Sequence, residues 1–271
     1  MTKSDQDSKQ HLTGHVAVVT GASLGIGRAT AIALGRAGAN VVVNYRSHPE
    51  AADEVVHAIE EEGAEAVKCQ ADVADQAAVE QLIAVAHKQF GRLDIAVSNA
   101  AYSDRQPFVD ADMDGFRRTI DVTMWGAFHL LRAAAQQMIN QGTRGRVVIV
   151  SSPLAFLAFP NSMAYNMSKA ALEQMVKTAT LELAPRRISV NSIQPGWIDT
   201  PGERKFASEE ELQSGGKQIP VGRLGTPEEI AEGIMFLCNP AHEYLTGATL
   251  LMDGGISLPW WANRTNEGEG L

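Results

Sequence analysis

The sequence predicts an α/β protein: a single doubly wound domain built on a seven-stranded parallel sheet with helices on both faces. Three observations carry the prediction. Short β-branched runs alternate with longer stretches of helical spacing along the whole chain. The short runs are continuously apolar, as strands covered on both faces require. No linker, internal repeat, low-complexity tract or composition shift breaks the alternation, so the length fits one domain better than two. In order, the strands are Val16–Thr20, Val41–Tyr45, Ala66–Gln70, Ile95–Ser98, Val147–Ser151, Ser189–Ile193 and Ala248–Met252. Between them, Val79, Leu82, Ile83, Ala86 and Phe90 fall on one helical face, as do Leu172, Met175, Val176, Ala179 and Leu183. Thr226, Pro227, Glu228 and Glu229 read as the N-cap and first turn of a late helix running through Ile230, Ile234 and Leu237.

Composition narrows the function classes. The chain has 271 residues, 45% hydrophobic and 20% charged, enough for a large core. A net charge of −9 argues against a nucleic-acid partner, because phosphate binding needs a basic surface. Cys69 and Cys238 are too few for a disulfide scaffold and lack zinc-site spacing, so both read as small buried apolar residues. The amino terminus is polar and no apolar run reaches about 18 residues, so neither a signal peptide nor a membrane span is visible and a cytoplasmic location is expected. The carboxylate runs Glu60–Glu62 and Glu209–Glu211 read as solvated helix ends, and His11 with His15 precedes a strand, so no metal site is expected.

The first chemical signal follows the first strand. Gly21, Ser23, Leu24, Gly25, Ile26 and Gly27 form a glycine-rich turn entering a helix, where backbone can approach a pyrophosphate at the helix N-terminus. Tight packing alone is the competing reading. After the second strand, where NAD enzymes often place a carboxylate, the chain has Arg46 and Ser47. A guanidinium and a hydroxyl there suit a 2′-phosphate, which favours NADP(H) while leaving NAD(H) open. A solvated Arg46 ahead of Pro49 is the alternative. Further on, Tyr165 and Lys169 lie four apart on one helical face, close after Ser151 and Ser152. Bringing a phenol from about 10 to about 7 takes about 4 kcal/mol, which a neighbouring ammonium and an oxidised nicotinamide together can supply.

Together these residues resemble the short-chain dehydrogenase/reductase family, over Gly14 to about Leu258. The family's cofactor turn matches Thr20–Gly27, its acid after the third strand Asp72, its YxxxK motif Tyr165 and Lys169, and its serine thirteen positions earlier Ser152. Its Pro-Gly motif matches Pro195 and Gly196, and Asp253-Gly254-Gly255 also fits. The resemblance implies a Rossmann-type domain over 13–258, with a flexible polar N-terminus over 1–12 and a C-terminal tail over 259–271. It implies an enzyme moving a hydride between nicotinamide and an alcohol or ketone carbon. Tyr165 is the proton-transfer residue, Ser152 positions the reacting oxygen, and Lys169 holds the ribose and lowers the tyrosine pKa. Asp72 and Val73 are expected beside the adenine, Asn99, Ala100 and Ala101 beneath the cofactor, and Ile198 and Thr200 at the carboxamide. A mobile lid is expected over about 202–216, and a homotetramer, with Trp260 and Trp261 buried against another subunit.

Within the family the chain is similar to glucose 1-dehydrogenases, on Asn44–Ser47 and Pro195–Pro201, and to 3-oxoacyl-carrier-protein reductases. A small alcohol, sugar or ketone is therefore the expected substrate. Two positions depart from the pattern. Thr123 stands where an asparagine normally helps hold a water linked to the lysine, which predicts reduced rather than absent activity. Ala101 replaces the last glycine of NNAG, costly if that residue needs a positive φ. These departures keep open a reading of another class, an NADPH-binding sensor or scaffold without catalysis.

Overall fold

The computed structural model describes residues 11–258, which build one parallel seven-stranded sheet in the order β3-β2-β1-β4-β5-β6-β7. The strands are β1 (Val16–Val19), β2 (Asn40–Tyr45), β3 (Ala66–Gln70), β4 (Ile95–Ser98), β5 (Arg146–Val150), β6 (Ser189–Pro195) and β7 (Thr249–Met252). Central register places Val18 between Val42 and Ala96. The helices are α1 (Gly25–Arg36), α2 (Pro49–Glu61), α3 (Gln76–Phe90), α4 (Met113–Ile120), α5 (Gly126–Gln141), α6 (Met163–Leu183), α7 (Glu209–Gly216) and α8 (Pro227–Cys238). A π-helical turn, Asp121–Trp125, joins α4 to α5.

Two apolar clusters sandwich the sheet. One packs Leu34 of α1, Ile59 of α2 and Ile234 of α8 against Val41 and Val97. The other packs Leu82 of α3, Leu130 of α5 and Leu172 of α6 against Val18 and Val147. Each fully buried side chain of this size contributes about 1.5–3 kcal/mol. The predicted faces of α3 and α6 both point into the second cluster.

Local rules and tertiary context each leave a mark on the element ends. Thr226 caps α8 as predicted, in a reciprocal capping box with Glu229. β5 ends at Val150, so Ser151 and Ser152 lie beyond the strand, and β6 continues through Pro195. The expectation of strands apolar on both faces fails at the two sheet edges. In β3 only Ala66 is buried, Lys68 and Gln70 being exposed, and in β7 no residue is buried. Edge strands have a neighbour on one side only, and covering helices give out there. For the same reason Cys69 in β3 is half-buried rather than buried, whereas Cys238 is fully buried. The expectations for the first residues of the N-terminus, for the tail over 259–271 and for Trp260 and Trp261 fall outside the described residues.

Candidate active site

The sheet order reverses between β1 and β4, and in open parallel sheets a ligand crevice forms at the carboxyl ends of strands at such a switch point. The glycine turn lies there. Gly21 and Gly25 adopt φ of 61° and 54°, left-handed values suited to glycine. A Cβ on Gly27 would meet the Gly21 carbonyl and come within 2.5 Å of Asn99 Nδ2, and one on Gly25 would come within 3.2 Å of Thr200 Cγ2. Asn99 fixes the turn, its Nδ2 donating to the Thr20 and Gly21 carbonyls at 2.9 and 3.2 Å. The Gly21 N–H donates to Asn44 Oδ1, and Asn44 Nδ2 donates to the Cys69 and Ala71 carbonyls. Asn44 thus laces β2 to its neighbours. Helix α1 starts at Gly25 with no side-chain cap and no acidic residue in its first turn. Its free N–H groups and dipole suit an anion, so the residues present fit a dinucleotide pyrophosphate.

The predicted adenine and ribose residues gather on the far side of the switch point. Asp72 accepts from Ala74 N–H at 3.0 Å and pairs with Arg118 Nη2 at 2.6 Å. Burial works against its ionisation, but Arg118, the Ala74 N–H and Arg46 together hold the carboxyl below the usual range. Arg118 went unnoticed in the sequence: it sits 46 residues from its partner, in no motif. Arg46 and Ser47 are exposed; only the Arg46 carbonyl is engaged, by Gln70, while the Ser47 hydroxyl meets His48. Val73 is buried under Gly126.

The proton-transfer candidates stand at the carboxyl end of β5. Ser152 is extended and caps a short 3₁₀ turn, Pro153–Ala155, which packs on α6. Its Oγ accepts from Leu154 N–H at 3.2 Å, leaving the hydroxyl proton free to donate. Lys169 is buried, donates to the Val150 carbonyl at 2.7 Å, and places Nζ 5.2 Å from the Tyr165 ring centroid. The helix therefore brings Tyr165 and Lys169 together and ties them to the end of β5, two residues from Ser152. The electrostatics of the chain alone differ from the expectation of a lysine-lowered phenol. Desolvation by burial, then the charge of Glu203, pushes Tyr165 well above the ordinary tyrosine range, with Arg105 acting the other way. Desolvation also brings Lys169 down to about 7, with Glu173 opposing.

Both family departures find a physical account. Ala101 is absent from the residues at positive φ, so its methyl group carries no such strain. Thr123 is buried in the π-turn, and its hydroxyl donates to the Tyr102 carbonyl at 2.8 Å and accepts from Tyr102 N–H at 3.0 Å. Its only proton is spent there, anchoring the loop after β4, while its second lone pair stays open to accept from a water. Ala100 lies against Gly21.

After β6, Gly196 lets the chain pass Asp253, whose backbone a Cβ would meet at 2.6 Å. Ile198 is bridged to Gly225, and Thr200 abuts Gly25. The predicted lid contains a 3₁₀ turn, Glu203–Lys205, and α7. Glu203 pairs with Arg105 and accepts from Trp197 Nε1, contacts that no sequence signal announced. A cavity of about 380 Å³ lies between the chain that follows β6, the segment leading into α8 and the end of β7, lined by Trp197, Ile198, Ile219, Val221 and Leu251 but by none of Ser152, Tyr165 or Lys169. Among the described residues no cluster of three metal-ligating side chains occurs, and no helix is long and apolar enough to cross a membrane.

This arrangement defines a nicotinamide-dependent oxidoreductase of the Rossmann type. A family model described as enoyl-(acyl carrier protein) reductase matches residues 21–257. Glucose 1-dehydrogenase 2 of Bacillus subtilis (strain 168) is 37% identical over 248 residues, covering 91% of this chain and 96% of that protein. A 3-oxoacyl-[acyl-carrier-protein] reductase of Synechocystis sp. is 39% identical over 246 residues, covering 90% and 98%. The crystal structure of a short-chain type dehydrogenase/reductase from Mycobacterium marinum superposes with a TM-score of 0.88 at 33% identity, covering 93% of this chain and 99% of that one. The chain belongs to the short-chain dehydrogenase/reductase family and is an enzyme acting on alcohol or ketone carbons.

Proposed function

We propose that the protein is an NADP-preferring dehydrogenase of a neutral sugar or polyol, glucose 1-dehydrogenase-like, with Ser152, Tyr165 and Lys169 as its catalytic residues. The observation that carries this is the Tyr165–Lys169 pair on one face of α6, tied through Val150 to the turn that holds Ser152. When bound, the nicotinamide supplies the hydride acceptor. Tyr165 takes the substrate hydroxyl proton in oxidation and returns it in reduction. Ser152, its Oγ already accepting from Leu154, donates its proton to the substrate oxygen as charge develops. Lys169 places Nζ beside the phenol, where its protonated form favours the tyrosinate that burial opposes.

The uncapped end of α1 holds the pyrophosphate, and Arg46 with Ser47 the 2′-phosphate. Asp72 and Val73 flank the adenine, Asn99, Ala100 and Ala101 underlie the cofactor, and Ile198 and Thr200 meet the carboxamide. Exposed Trp125 and Phe128 on one side, and Phe236 and Leu251 on another, give two apolar faces suited to a cytoplasmic homotetramer. The test is initial rates with NADP and NAD against glucose, other aldoses, polyols and an acetoacetyl thioester. Faster turnover of a sugar with NADP supports the proposal. Turnover of the thioester alone supports the ketone-reductase reading, and cofactor binding without turnover on any of them supports a sensor.

A further inference from the structure

The loop after β4 and the lid meet in a single ionic cluster. Arg105 Nη2 reaches both carboxylate oxygens of Glu203, at 3.3 and 3.4 Å, and its guanidinium lies 3.9 Å from the Phe206 ring centroid. Trp197 Nε1 donates to Glu203 Oε2 at 3.1 Å. The two charged side chains are 29% and 24% exposed, neither solvated freely nor sealed off. Asp104 and Gln106, the neighbours of Arg105 in the loop, line a small pocket with Met163 and Ala164 at the start of α6, beside Tyr165, and the charges of Glu203 and Arg105 act on the phenol with opposite sign. Glu203 also follows Thr200 by one turn, its N–H donating to the Thr200 carbonyl at 3.1 Å. The cluster therefore borders the place where the reacting C–O bond must sit if Tyr165 is the proton-transfer residue.

Its bonding is incomplete. The pair's two contacts are long and share one nitrogen, so Arg105 keeps donors at Nε and Nη1, and the carboxylate keeps lone pairs. A substrate filling this corner must offer both acceptors and donors, with an apolar face for Trp197 and Phe206. A hydroxyl next to the reacting carbon does both, and the C–H face of a sugar ring provides the rest. An anionic substrate would meet Glu203. An alkyl or acyl chain would cover the ion pair without hydrogen-bonding it, which is unfavourable for half-buried charges.

We infer that the Arg105–Glu203 pair determines substrate specificity by reading a hydroxyl adjacent to the reacting carbon of a neutral polyhydroxylated substrate. The inference rests on the dehydrogenase proposal and assigns its specificity to residues outside every family motif.

The experiment measures kcat/KM with NADP for the best aldose of the panel and for cyclohexanol, which has no neighbouring hydroxyl, in wild type, E203Q, R105Q and R105K. Loss of one hydrogen bond to a charged group corresponds to about 10–100-fold. The ratio of kcat/KM for aldose over cyclohexanol is expected to fall by that factor in E203Q and R105Q, mainly through KM, and by less in R105K. The pH–kcat profile for cyclohexanol is expected to move to lower pH in E203Q and to higher pH in R105Q. An unchanged ratio, or profiles moving the same way in both variants, overturns the inference and assigns the pair a purely structural role. A wild type that oxidises cyclohexanol but no aldose also overturns it while leaving the dehydrogenase reading standing. A wild type that binds NADP and oxidises neither overturns both.

Discussion

Replacing Lys169 with methionine is expected to stabilise the protein without cofactor below neutral pH. Lys169 is 3% exposed, and the carbonyl of Val150 accepts from its ammonium at 2.7 Å. Burial brings its pKa from 10.5 to about 7. That difference corresponds to about 5 kcal/mol against holding the charged form in the folded state. The sign follows from proton linkage. Between pH 7 and 10.5 the unfolded chain keeps a proton that the folded chain has released, so folded stability rises with pH across that window. Below pH 7 the whole penalty is present in the wild type and absent from K169M, whose side chain has similar volume. The variant strands the Val150 carbonyl, at about 1–3 kcal/mol. K169M should therefore be more stable by about 2–4 kcal/mol at pH 6. By pH 9 about 3 kcal/mol of the wild-type penalty is relieved, so the gap should nearly close. Equilibrium urea unfolding of both proteins at pH 6 and pH 9, below the range where Tyr165 titrates, measures the gap directly. A K169M protein less stable than wild type at pH 6, or a gap that does not change with pH, would refute the reasoning.

Three further outcomes follow from the same geometry. Arg46→Asp should reverse cofactor preference, lowering the NADP-to-NAD ratio of kcat/KM by about 10–100-fold through loss of a charge-assisted pair, read in steady-state kinetics. Gly27→Ala forces a methyl group against Asn99 and the Gly21 carbonyl, so it should cost about 1–3 kcal/mol in urea unfolding and weaken NADPH binding in fluorescence titration. Thr123→Val strands both backbone groups of Tyr102 and should cost about 1–3 kcal/mol, with proteolysis increased in the loop after β4.

Features legible in the sequence were those whose cause is local. The Thr226 capping box needs residues three apart, and the Tyr165–Lys169 face needs one helical turn, so both could be read before any fold was known. The seven strands were legible because central parallel strands must be apolar throughout; the description failed at β3 and β7, where the edge position decides burial. The Arg105–Glu203 pair spans 98 residues and the Arg118–Asp72 pair 46, and no periodicity links such partners. Thr123 could be flagged as a departure, but its bond to Tyr102 depends on the π-turn, which has no pattern of its own. The upward pull of burial on Tyr165 in the chain alone had no signal in the sequence, because two residues at helical spacing say nothing of how much water the fold removes from them.

The proposed chemistry depends most on Tyr165 carrying the substrate proton. Its most direct test is turnover of the best panel substrate by Tyr165→Phe, alongside NADPH affinity measured by fluorescence titration. General acid–base catalysis of this kind predicts a loss of about 10²–10⁴-fold in kcat with cofactor affinity largely retained. Turnover at the wild-type rate in the phenylalanine variant would contradict it.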